Sequence, residues 1–460
     1  MEKVLSRVLR KITPSENERE KFLGVLKKIE KIADEIIKPL GLEKTVAGSF
    51  IRDTWLADKR EMDLFILFPV SFSREKLEKI GLKIGMGITE GLGGKYEIAY
   101  AEHPYVKGII GDFKIDIVPC YKVDSASKIK SAVDRTPFHN RYIMKNLKPY
   151  MANEVRLLKQ FCKAMDVYGS DIRTQGFSGY LCELLVIRYK TFKNIIRSAA
   201  KWESGVFIDL KNHCKIKCPK EHFTGQPLIV IDPTDPRRNV AASLSNENFI
   251  KFVETCKRFL RKPSVSFFEI KGKIIKPEEL KRHLKTRKTN LLVLEFKRPA
   301  VVDDILWSQL RKTAARVVKL LKANDFEIFE WMVWSDEENS YMIFEMKTWL
   351  LSSLKKLTGP PASSKRHSDE FRSKYAGRKL CIEDGKWATT AKRKYTKAEY
   401  LISDFLKRNE KNLLNDGIRS HIAKSIVSGF KILGKNQLET LIKNNTGFSI
   451  FMRKYFERKV

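Results

Sequence analysis

Three acidic residues have the types and the spacing of a site for phosphoryl-transfer chemistry. Glu61 and Asp63 stand two residues apart at the start of the apolar segment MDLFILFP, and Asp116 stands between two isoleucines in GDFKIDIVPC. Residues two apart on a strand project from the same face, so the first two carboxylates lie together. Converging carboxylates repel each other unless they hold a cation, and oxygen ligands favour Mg²⁺. The pattern therefore predicts two Mg²⁺ ions bound by shared carboxylates, an arrangement suited to nucleotidyl transfer.

A Gly-Ser pair that precedes these acids suits a phosphate group. A turn at Gly48 lets backbone N–H groups approach a phosphate, and the hydroxyl of Ser49 adds a donor. Arg52 follows closely enough to lean toward the same triphosphate. An E-x-D pair by itself is common at the exposed ends of hairpins. The prediction therefore depends on the combination of the Gly-Ser pair, the acid pair and the third acid.

Local patterns predict the elements that position these residues. Ser15 and Glu18 form a capping box, and the apolar spacing predicts a helix that runs to about Ile37. Strands are predicted for KTVAGS and for MDLFILFP, which stops at Pro69, and a helix for REKLEKIGLKIGMGITEGL. The segments YEIAYAEHPYVKGII and GDFKIDIVPCYKV are predicted to form a pair of strands. Together they indicate a domain with a mixed sheet and helices.

The remainder of the chain changes character twice. Residues 153–192 are strongly helical, and a further helix, NENFIKFVETCKRFLRK, precedes Pro263. The last third has a β-α-β-β order that predicts a small ferredoxin-like module, followed by the basic loop GPPASSKRHSDEFRSKY and a basic helical tail. We therefore expect an α+β multidomain fold. The expected boundaries divide the chain into a catalytic domain over 1–143, a central helical domain over 144–264 and a C-terminal region over 265–460.

The charge of the chain points to a polyanionic partner. Lys and Arg number 89 against 55 Asp and Glu, a net charge of +34, which suggests nucleic acid first and anionic lipid second. No apolar run reaches the length of about 18 residues that a membrane span needs, and the N-terminus lacks the features of a signal peptide. The seven cysteines are scattered, as in a reducing compartment. We therefore expect a cytoplasmic location and no membrane association.

The motifs resemble those of a known family. Gly48-Ser49, Glu61-x-Asp63 and Asp116 resemble the polymerase-β-like nucleotidyltransferase superfamily. The segments DIVPCYKV, DRTPFHNR, GFSGYLCELLV, DPTDPRRNVAASLS and LEFKRPAVVDDILWSQL are similar to the archaeal (class I) CCA-adding enzymes, the tRNA nucleotidyltransferases. The resemblance runs from about residue 15 to at least residue 400 and is weakest over the last 60 or so residues. The first acid is Glu where many superfamily members carry Asp, and its longer side chain can still reach a metal.

The resemblance implies an activity and a set of roles. Members of that family add C, C and A to the 3′ end of tRNA from CTP and ATP without a nucleic-acid template. By this resemblance Glu61, Asp63 and Asp116 are metal ligands, with Asp116 nearest the attacking 3′-hydroxyl. Arg238 is implied to read the base edge together with the tRNA backbone. The residues implied to bind the rest of the nucleotide are Gly48, Ser49, Arg52, Thr136, His139, Lys159 and Tyr168.

Several of these residues also have ordinary interpretations. From the sequence alone His139 could be a surface histidine, Tyr168 a core aromatic and Lys159 part of a solvated face. Spacing does not decide which of Arg237 and Arg238 points inward, and the resemblance selects Arg238. Four potential zinc ligands lie close together, and a hairpin with free thiols is the favoured alternative to zinc because such ligands are usually separated by a longer loop. They are His213, Cys214, Cys218 and His222.

Three other functions compete with CCA addition. A poly(A) polymerase or another terminal RNA nucleotidyltransferase would share the acids but should lack the DPTDPRRNVAA segment. A non-catalytic RNA-binding relative would not need all three acids. An anionic-membrane binder should show a basic amphipathic helix, and none stands out. For the favoured function the expected partners are CTP, ATP and the acceptor stem, elbow and 3′ end of tRNA, and the sequence leaves both a monomer and a homodimer open.

Overall fold

The computed structural model describes residues 1–100, 102–213, 223–270, 272 and 274–457. The chain divides into two units, residues 1–271 and 272–459, which we treat separately.

The first unit contains a mixed sheet, as predicted, and this sheet has five strands. Its order is β1-β2-β5-β4-β3, with β2 and β5 parallel and the other neighbours antiparallel. The strands are β1 (Glu43–Ala47), β2 (Glu61–Phe68), β3 (Lys95–Tyr100), β4 (Pro104–Ile110) and β5 (Phe113–Tyr121). The predicted pair of strands over 96–123 is wrong, because this segment forms three. The chain reverses between Tyr100 and Pro104, and a proline without an N–H is tolerated as the first residue of a strand.

Helices α2 (Glu16–Ile37) and α3 (Arg74–Gly91) cover one face of this sheet. Helix α1 (Glu2–Ile12) instead packs into the core of the central helical part through Leu5 and Val8. The capping box predicted at Ser15 and Glu18 is confirmed at the start of α2. One apolar core joins α2 and α3 to the buried side chains of β2 and β5, namely Met62, Leu64, Ile66, Ile115 and Ile117. Because strand side chains alternate, the residues between them project from the opposite face.

The central part of the first unit is mainly helical. Its helices are α4 (Thr136–Asn146), α5 (Ala152–Ala164), α6 (Gly179–Tyr189), α7 (Phe192–Ala199) and α8 (Asn246–Arg261). A three-stranded sheet, in the order β6-β7-β8, accompanies them, with β6 (Val206–Asp209), β7 (Leu228–Asp232) and β8 (Asp235–Asn239). Helix α6 is apolar on almost every side, as expected of a helix at the centre of a core.

The second unit contains two antiparallel sheets. The larger has the order β10-β11-β9-β15 and the smaller β12-β14-β13. Their strands are β9 (Asn290–Lys297), β10 (Ile328–Ser335), β11 (Asn339–Met346), β12 (Leu354–Pro361), β13 (Leu380–Glu383), β14 (Lys386–Lys392) and β15 (Phe430–Leu433). The helices are α9 (Pro277–Arg287), α10 (Asp303–Ala323), α11 (Lys365–Lys374), α12 (Ala398–Leu406), α13 (Glu410–Asn415), α14 (Ser420–Ser428), α15 (Lys435–Asn444) and α16 (Thr446–Phe456).

Two predictions for the second unit are wrong in detail. The predicted basic loop contains the end of β12 and the helix α11, and the predicted helical remainder contains β13, β14 and β15. The missed signal was Asp384-Gly385, a two-residue turn with both residues at positive φ, which joins β13 to β14. The last helices are also not a separate tail, since Ile442, Phe448 and Met452 share a core with Val293 and Ile343.

The broad fold class is confirmed. The chain has an α+β organisation with a mixed N-terminal sheet, a helical central part and a C-terminal unit of helices and antiparallel sheets. No helix in the described part of the chain is both long and apolar enough to cross a membrane.

Candidate active site

Two of the three predicted acids lie side by side. The parallel register of β2 and β5 makes Asp63 and Asp116 direct partners across the two strands. Both side chains project from the face opposite the apolar core under α2 and α3, because their neighbours Met62, Leu64, Ile115 and Ile117 fill that core. The strand pairing therefore places two carboxylates together on the face of the sheet opposite that core.

The environment of this pair disfavours its negative charge. Burial, followed by the charge of Asp63, raises the pKa of Asp116 to about 6. Burial also raises the pKa of Asp63, although the guanidinium of Arg52 opposes the shift. Burial and the charge of Asp116 raise the pKa of the neighbouring Tyr105 to about 12. Two buried carboxylates that repel each other suit a divalent metal, which would neutralise both.

The third acid has a different partner. Glu61 lies two residues before Asp63 on the same strand, and its exposed carboxylate accepts a hydrogen bond of 2.8 Å from the ammonium group of Lys59. Within the described residues, no group of three His, Cys, Asp or Glu side chains is arranged to hold a metal ion. The donor set therefore fits a divalent cation through Asp63 and Asp116, and Glu61 would have to leave Lys59 to join them.

The Gly-Ser turn lies directly over the acids. Ala47, the last residue of β1, pairs with Asp63, and the chain then turns at Gly48, whose φ is +93°. A Cβ atom at this position would lie 2.3 Å from Asp63 Oδ2, so a larger residue would collide with the carboxylate. The glycine thus lets the backbone of the turn approach the carboxylate of Asp63 closely, where a phosphate could contact both.

Helix α5 holds the loop that follows this turn. Arg156 is buried and donates to the carbonyl oxygens of Asp53 (2.6 Å) and Trp55 (2.9 Å). Lys159, one helical turn later, donates to the carbonyl of Thr54 (3.0 Å) and to its hydroxyl (3.1 Å). Lys159 is buried, and burial lowers its pKa against the opposing charge of Glu183. The solvated-face interpretation of Lys159 is therefore wrong.

Arg52 is anchored by a residue that the sequence interpretation missed. Its Nε donates to Glu183 Oε1 at 3.0 Å, and its Nη1 donates to Asn140 Oδ1 at 2.9 Å. The same Glu183 oxygen accepts from the hydroxyl of Thr54 at 2.6 Å. Burial raises the pKa of Glu183, but the charges of Arg52 and Lys159 outweigh it, so the pKa lies below its ordinary value. The available signal was a lone acid within the apolar helix GYLCELLVI.

Tyr168 and Lys159 meet at the start of α6. A Cβ atom added to Gly179, the first residue of this helix, would lie 3.2 Å from the Tyr168 hydroxyl and 3.7 Å from Lys159 Cε. A helix N-terminus with a hydroxyl and an ammonium group beside it favours an anion. The structure therefore brings these two predicted residues together.

A second buried carboxylate joins two further predicted residues. Asp232 Oδ2 lies 2.8 Å from His139 Nε2 and accepts from Arg238 Nη1 at 2.9 Å. The imidazole of His139 stacks on Tyr180, with ring centroids 4.0 Å apart. Arg237 is 73% exposed and contacts Asp235 instead, whereas Arg238 is 35% exposed. The structure thus distinguishes the two arginines, and Arg238 is the one that points inward.

Thr136 and His139 share one side of α4 with Asn140, since residues three and four apart on a helix lie on one face.

Of the four potential zinc ligands, His213 lies 3.3 Å from the carbonyl oxygen of Pro233. Cys214, Cys218 and His222 lie outside the described residues, so the structure does not address zinc binding there.

Family models match most of the chain in three consecutive segments. Residues 26–139 match a nucleotidyltransferase domain, and residues 153–269 match the second domain of tRNA nucleotidyltransferases. Residues 287–435 match the C-terminal domain of CCA-adding enzymes.

Curated relatives are similar over nearly the full length. The CCA-adding enzyme of Methanosarcina barkeri is 40% identical over 457 residues, which is 97% of this chain and 97% of that protein. The CCA-adding enzyme of Methanocaldococcus jannaschii is 38% identical over 422 residues, 90% of this chain and 92% of that protein. Among solved structures, the Cid1 poly(U) polymerase with Mg and 3′-dATP bound has a TM-score of 0.46 and 15% identity, covering 58% of this chain and 98% of that chain.

Proposed function

Because the chain belongs to the CCA-adding enzyme family of tRNA nucleotidyltransferases, we propose that it adds C, C and A to the 3′ end of tRNA from CTP and ATP. The geometry that supports this reaction is the in-register pair of Asp63 and Asp116 beneath the Gly48-Ser49 turn. The pair provides oxygen ligands for a divalent metal, and the turn provides donors for a phosphate. Metal ligands and phosphate donors, the two requirements of nucleotidyl transfer, would thus be met on the face of the sheet opposite the apolar core.

Glu61, Asp63 and Asp116 would hold two Mg²⁺ ions, whose chemistry is to activate the attacking oxygen and to neutralise charge on the phosphates. The raised pKa of Asp116, caused by burial and by the charge of Asp63, supports this assignment because such a pair is relieved by bound cations. In the reaction the 3′-oxygen of tRNA bonds to the α-phosphorus of the nucleotide. The bond from that phosphorus to the bridging oxygen breaks, pyrophosphate leaves with the electron pair, and the hydroxyl proton passes to the carboxylate of Asp116.

The nucleotide would extend from the side chains around the buried Glu183 to those around the buried Asp232. At the triphosphate end, Arg52 and Lys159 converge on Glu183, beside the Gly-Ser turn and Tyr168. At the other end, Arg238 meets Asp232 and presents a planar fork suited to a base edge and a phosphate. The residues proposed to contact the nucleotide are Gly48, Ser49, Arg52, Thr136, His139, Lys159, Tyr168 and Arg238.

We further propose that the second unit holds the acceptor stem and the elbow of tRNA. The strand order β10-β11-β9-β15, with α10 between β9 and β10 and α14 before β15, supports a ferredoxin-like module, an arrangement common in RNA binders. The net charge of +34 supports binding of the RNA backbone. The proposed domains are residues 1–143, 144–264 and 265–460. Both a monomer and a homodimer are compatible with this proposal. The proposed location is the cytoplasm, where tRNA and both nucleotides are found.

The activity can be tested with tRNA that lacks its 3′ CCA. With Mg²⁺ and CTP the product should be two nucleotides longer, and with CTP and ATP three nucleotides longer. ATP alone, UTP and GTP should give no extension of this substrate. A long product from ATP alone would favour the poly(A) polymerase alternative, and tRNA binding without extension under any condition would favour a non-catalytic relative.

A further inference from the structure

Asp232 lies at the end of β7 and is completely buried, yet nothing in the sequence motifs assigns it a role. A buried carboxylate is stable only when hydrogen bonds replace the water it has lost. Asp232 meets this need with five hydrogen-bond contacts from four residues. They are His139, Tyr180, Thr234 and Arg238.

The two oxygens of this carboxylate have different partners. Oδ1 accepts from the backbone N–H of Thr234 at 2.9 Å, from its hydroxyl at 2.8 Å and from the hydroxyl of Tyr180 at 3.3 Å. Oδ2 contacts His139 Nε2 at 2.8 Å and Arg238 Nη1 at 2.9 Å. One oxygen is therefore held by the β7–β8 turn and α6, and the other holds two side chains that are proposed to contact the nucleotide.

The contact with Asp232 Oδ2 restricts the orientation of the Arg238 guanidinium. An arginine side chain is long and flexible, and a single charge-assisted hydrogen bond can select one orientation of its planar fork. Bonding through Nη1 leaves the rest of the guanidinium on the partly exposed side, where a base can reach it. His139 is restricted in two ways, by the stacking of Tyr180 on its ring and by the carboxylate, which as an acceptor requires a hydrogen on Nε2.

We infer that Asp232 is a positioning residue for nucleotide selection, which orients Arg238 and His139 so that C and A are accepted while U and G are rejected. The inference rests on the proposed role of Arg238 in reading the base. Glu183 has a parallel arrangement at the triphosphate end, where it contacts Arg52 and Lys159. Loss of Glu183 should therefore affect all nucleotides alike, whereas loss of Asp232 should affect the choice between them.

The decisive variant is Asp232→Asn. Its amide oxygen can keep the three hydrogen bonds from Thr234 and Tyr180, and its NH₂ group then faces the Nη1 donor of Arg238. Two donors cannot bond to each other, so the substitution releases Arg238 while conserving the size and the fold of the turn. Selectivity is measured as the ratio of kcat/KM for CTP and UTP on tRNA without CCA, and for ATP and GTP on tRNA ending in CC.

The matched control is Asp235→Asn, the same change in the same turn. Asp235 is also buried, and it contacts Arg135 and Arg237 but neither Arg238 nor His139. We expect Asp232→Asn to reduce both selectivity ratios by about tenfold or more, the usual effect of losing a charge-assisted hydrogen bond, and Asp235→Asn to leave them unchanged. In a background of Arg238→Ala, Asp232→Asn should add little further loss, because the two changes remove the same interaction.

The outcomes separate the inference from its premise. If Arg238→Ala leaves selectivity intact, Arg238 does not read the base, and the inference falls with that premise. If Arg238→Ala lowers selectivity and Asp232→Asn does not, the premise stands and the inference is overturned. Equal losses of kcat/KM for all four nucleotides, or equal effects of Asp232→Asn and Asp235→Asn, would show a merely structural role and also overturn it.

A second variant keeps the test open if Asp232→Asn does not fold. Thr234→Val removes one hydrogen bond to Oδ1 with nearly the same side-chain shape and without any change of charge. A several-fold loss of selectivity at an unchanged melting temperature supports the inference. Unchanged selectivity in this variant overturns it.

Discussion

Replacing Asp116 by Asn should make the metal-free protein more stable while it abolishes activity. Asp63 and Asp116 are direct partners on neighbouring strands, and their repulsion is present in the folded state alone. The amide of the variant carries no charge, and its NH₂ group can donate to the remaining carboxylate of Asp63. A residue required for catalysis would then be one that destabilises the fold, because its function is to bind a cation.

The magnitude follows from the pKa of Asp116, which burial and then Asp63 raise from the usual 3.8 to about 6. At about 1.4 kcal/mol for each pKa unit, the ionised carboxylate reduces the free energy of unfolding by about 3 kcal/mol. Above pH 6 the group is ionised in both states and the folded state bears the full penalty. Below pH 3.8 the group is neutral in both states and the penalty is absent. The gain from the substitution should thus be full near pH 8 and disappear near pH 3.5.

Thermal unfolding in the presence of a chelator tests this. The transition of the first unit is the one expected to move upward when CTP and Mg²⁺ are added to the unsubstituted protein. For a unit of this length, 3 kcal/mol corresponds to a rise of roughly 5 °C at pH 8. Glu61→Gln is the matched control, since this carboxylate is exposed and paired with Lys59, and such surface pairs contribute about 0–1 kcal/mol. Its melting temperature should change little.

Either of two results would contradict a charge penalty at Asp116. An unchanged or lower melting temperature of Asp116→Asn at pH 8 would mean that burial and the charge of Asp63 do not penalise the ionised carboxylate of Asp116. An equal gain at pH 8 and at pH 3.5 would mean that the effect arises from packing and not from charge.

Four further predictions concern the reaction and its substrates. Asp63→Asn and Asp116→Asn should lose nearly all nucleotide incorporation while tRNA affinity, measured by fluorescence anisotropy, stays within a few-fold, and turnover at the normal rate would exclude these acids. Mn²⁺ affinity, measured by calorimetry without nucleotide, should fall as the pH drops through about 6, where Asp116 gains a proton, and a flat profile would contradict the assignment. Glu183→Gln should raise KM for CTP and ATP together by about tenfold through the loss of a counter-ion for Arg52 and Lys159, and a change in nucleotide preference would count against this role. Affinity for tRNA should fall steeply between 50 and 200 mM salt because several phosphates are neutralised, and weak salt dependence would point away from backbone contacts.

Much of the N-terminal part could be predicted from local patterns. The capping box at Ser15 and Glu18, the strand MDLFILFP and the broad fold class are confirmed because each depends on residues that are neighbours in the chain. The family resemblance is confirmed by similarity over nearly the whole chain. Asp384-Gly385 is a local hairpin signal for the smaller sheet of the second unit, but the many basic residues around it favour a loop and a helical tail in a prediction from sequence.

The amino-acid sequence alone establishes which chemical groups are available and to which family the chain belongs. Apolar and acidic residues alternate in β2 and β5, so the acidic side chains must project from the face opposite the apolar core, independently of the rest of the chain. The partners of the buried charged residues, in contrast, depend on how distant elements pack together. Arg52 and Glu183 are 131 residues apart in the chain, and His139 and Asp232 are 93 residues apart. Periodicity reports the faces of one element at a time, whereas a buried carboxylate acquires its partners when separate elements pack together and exclude water.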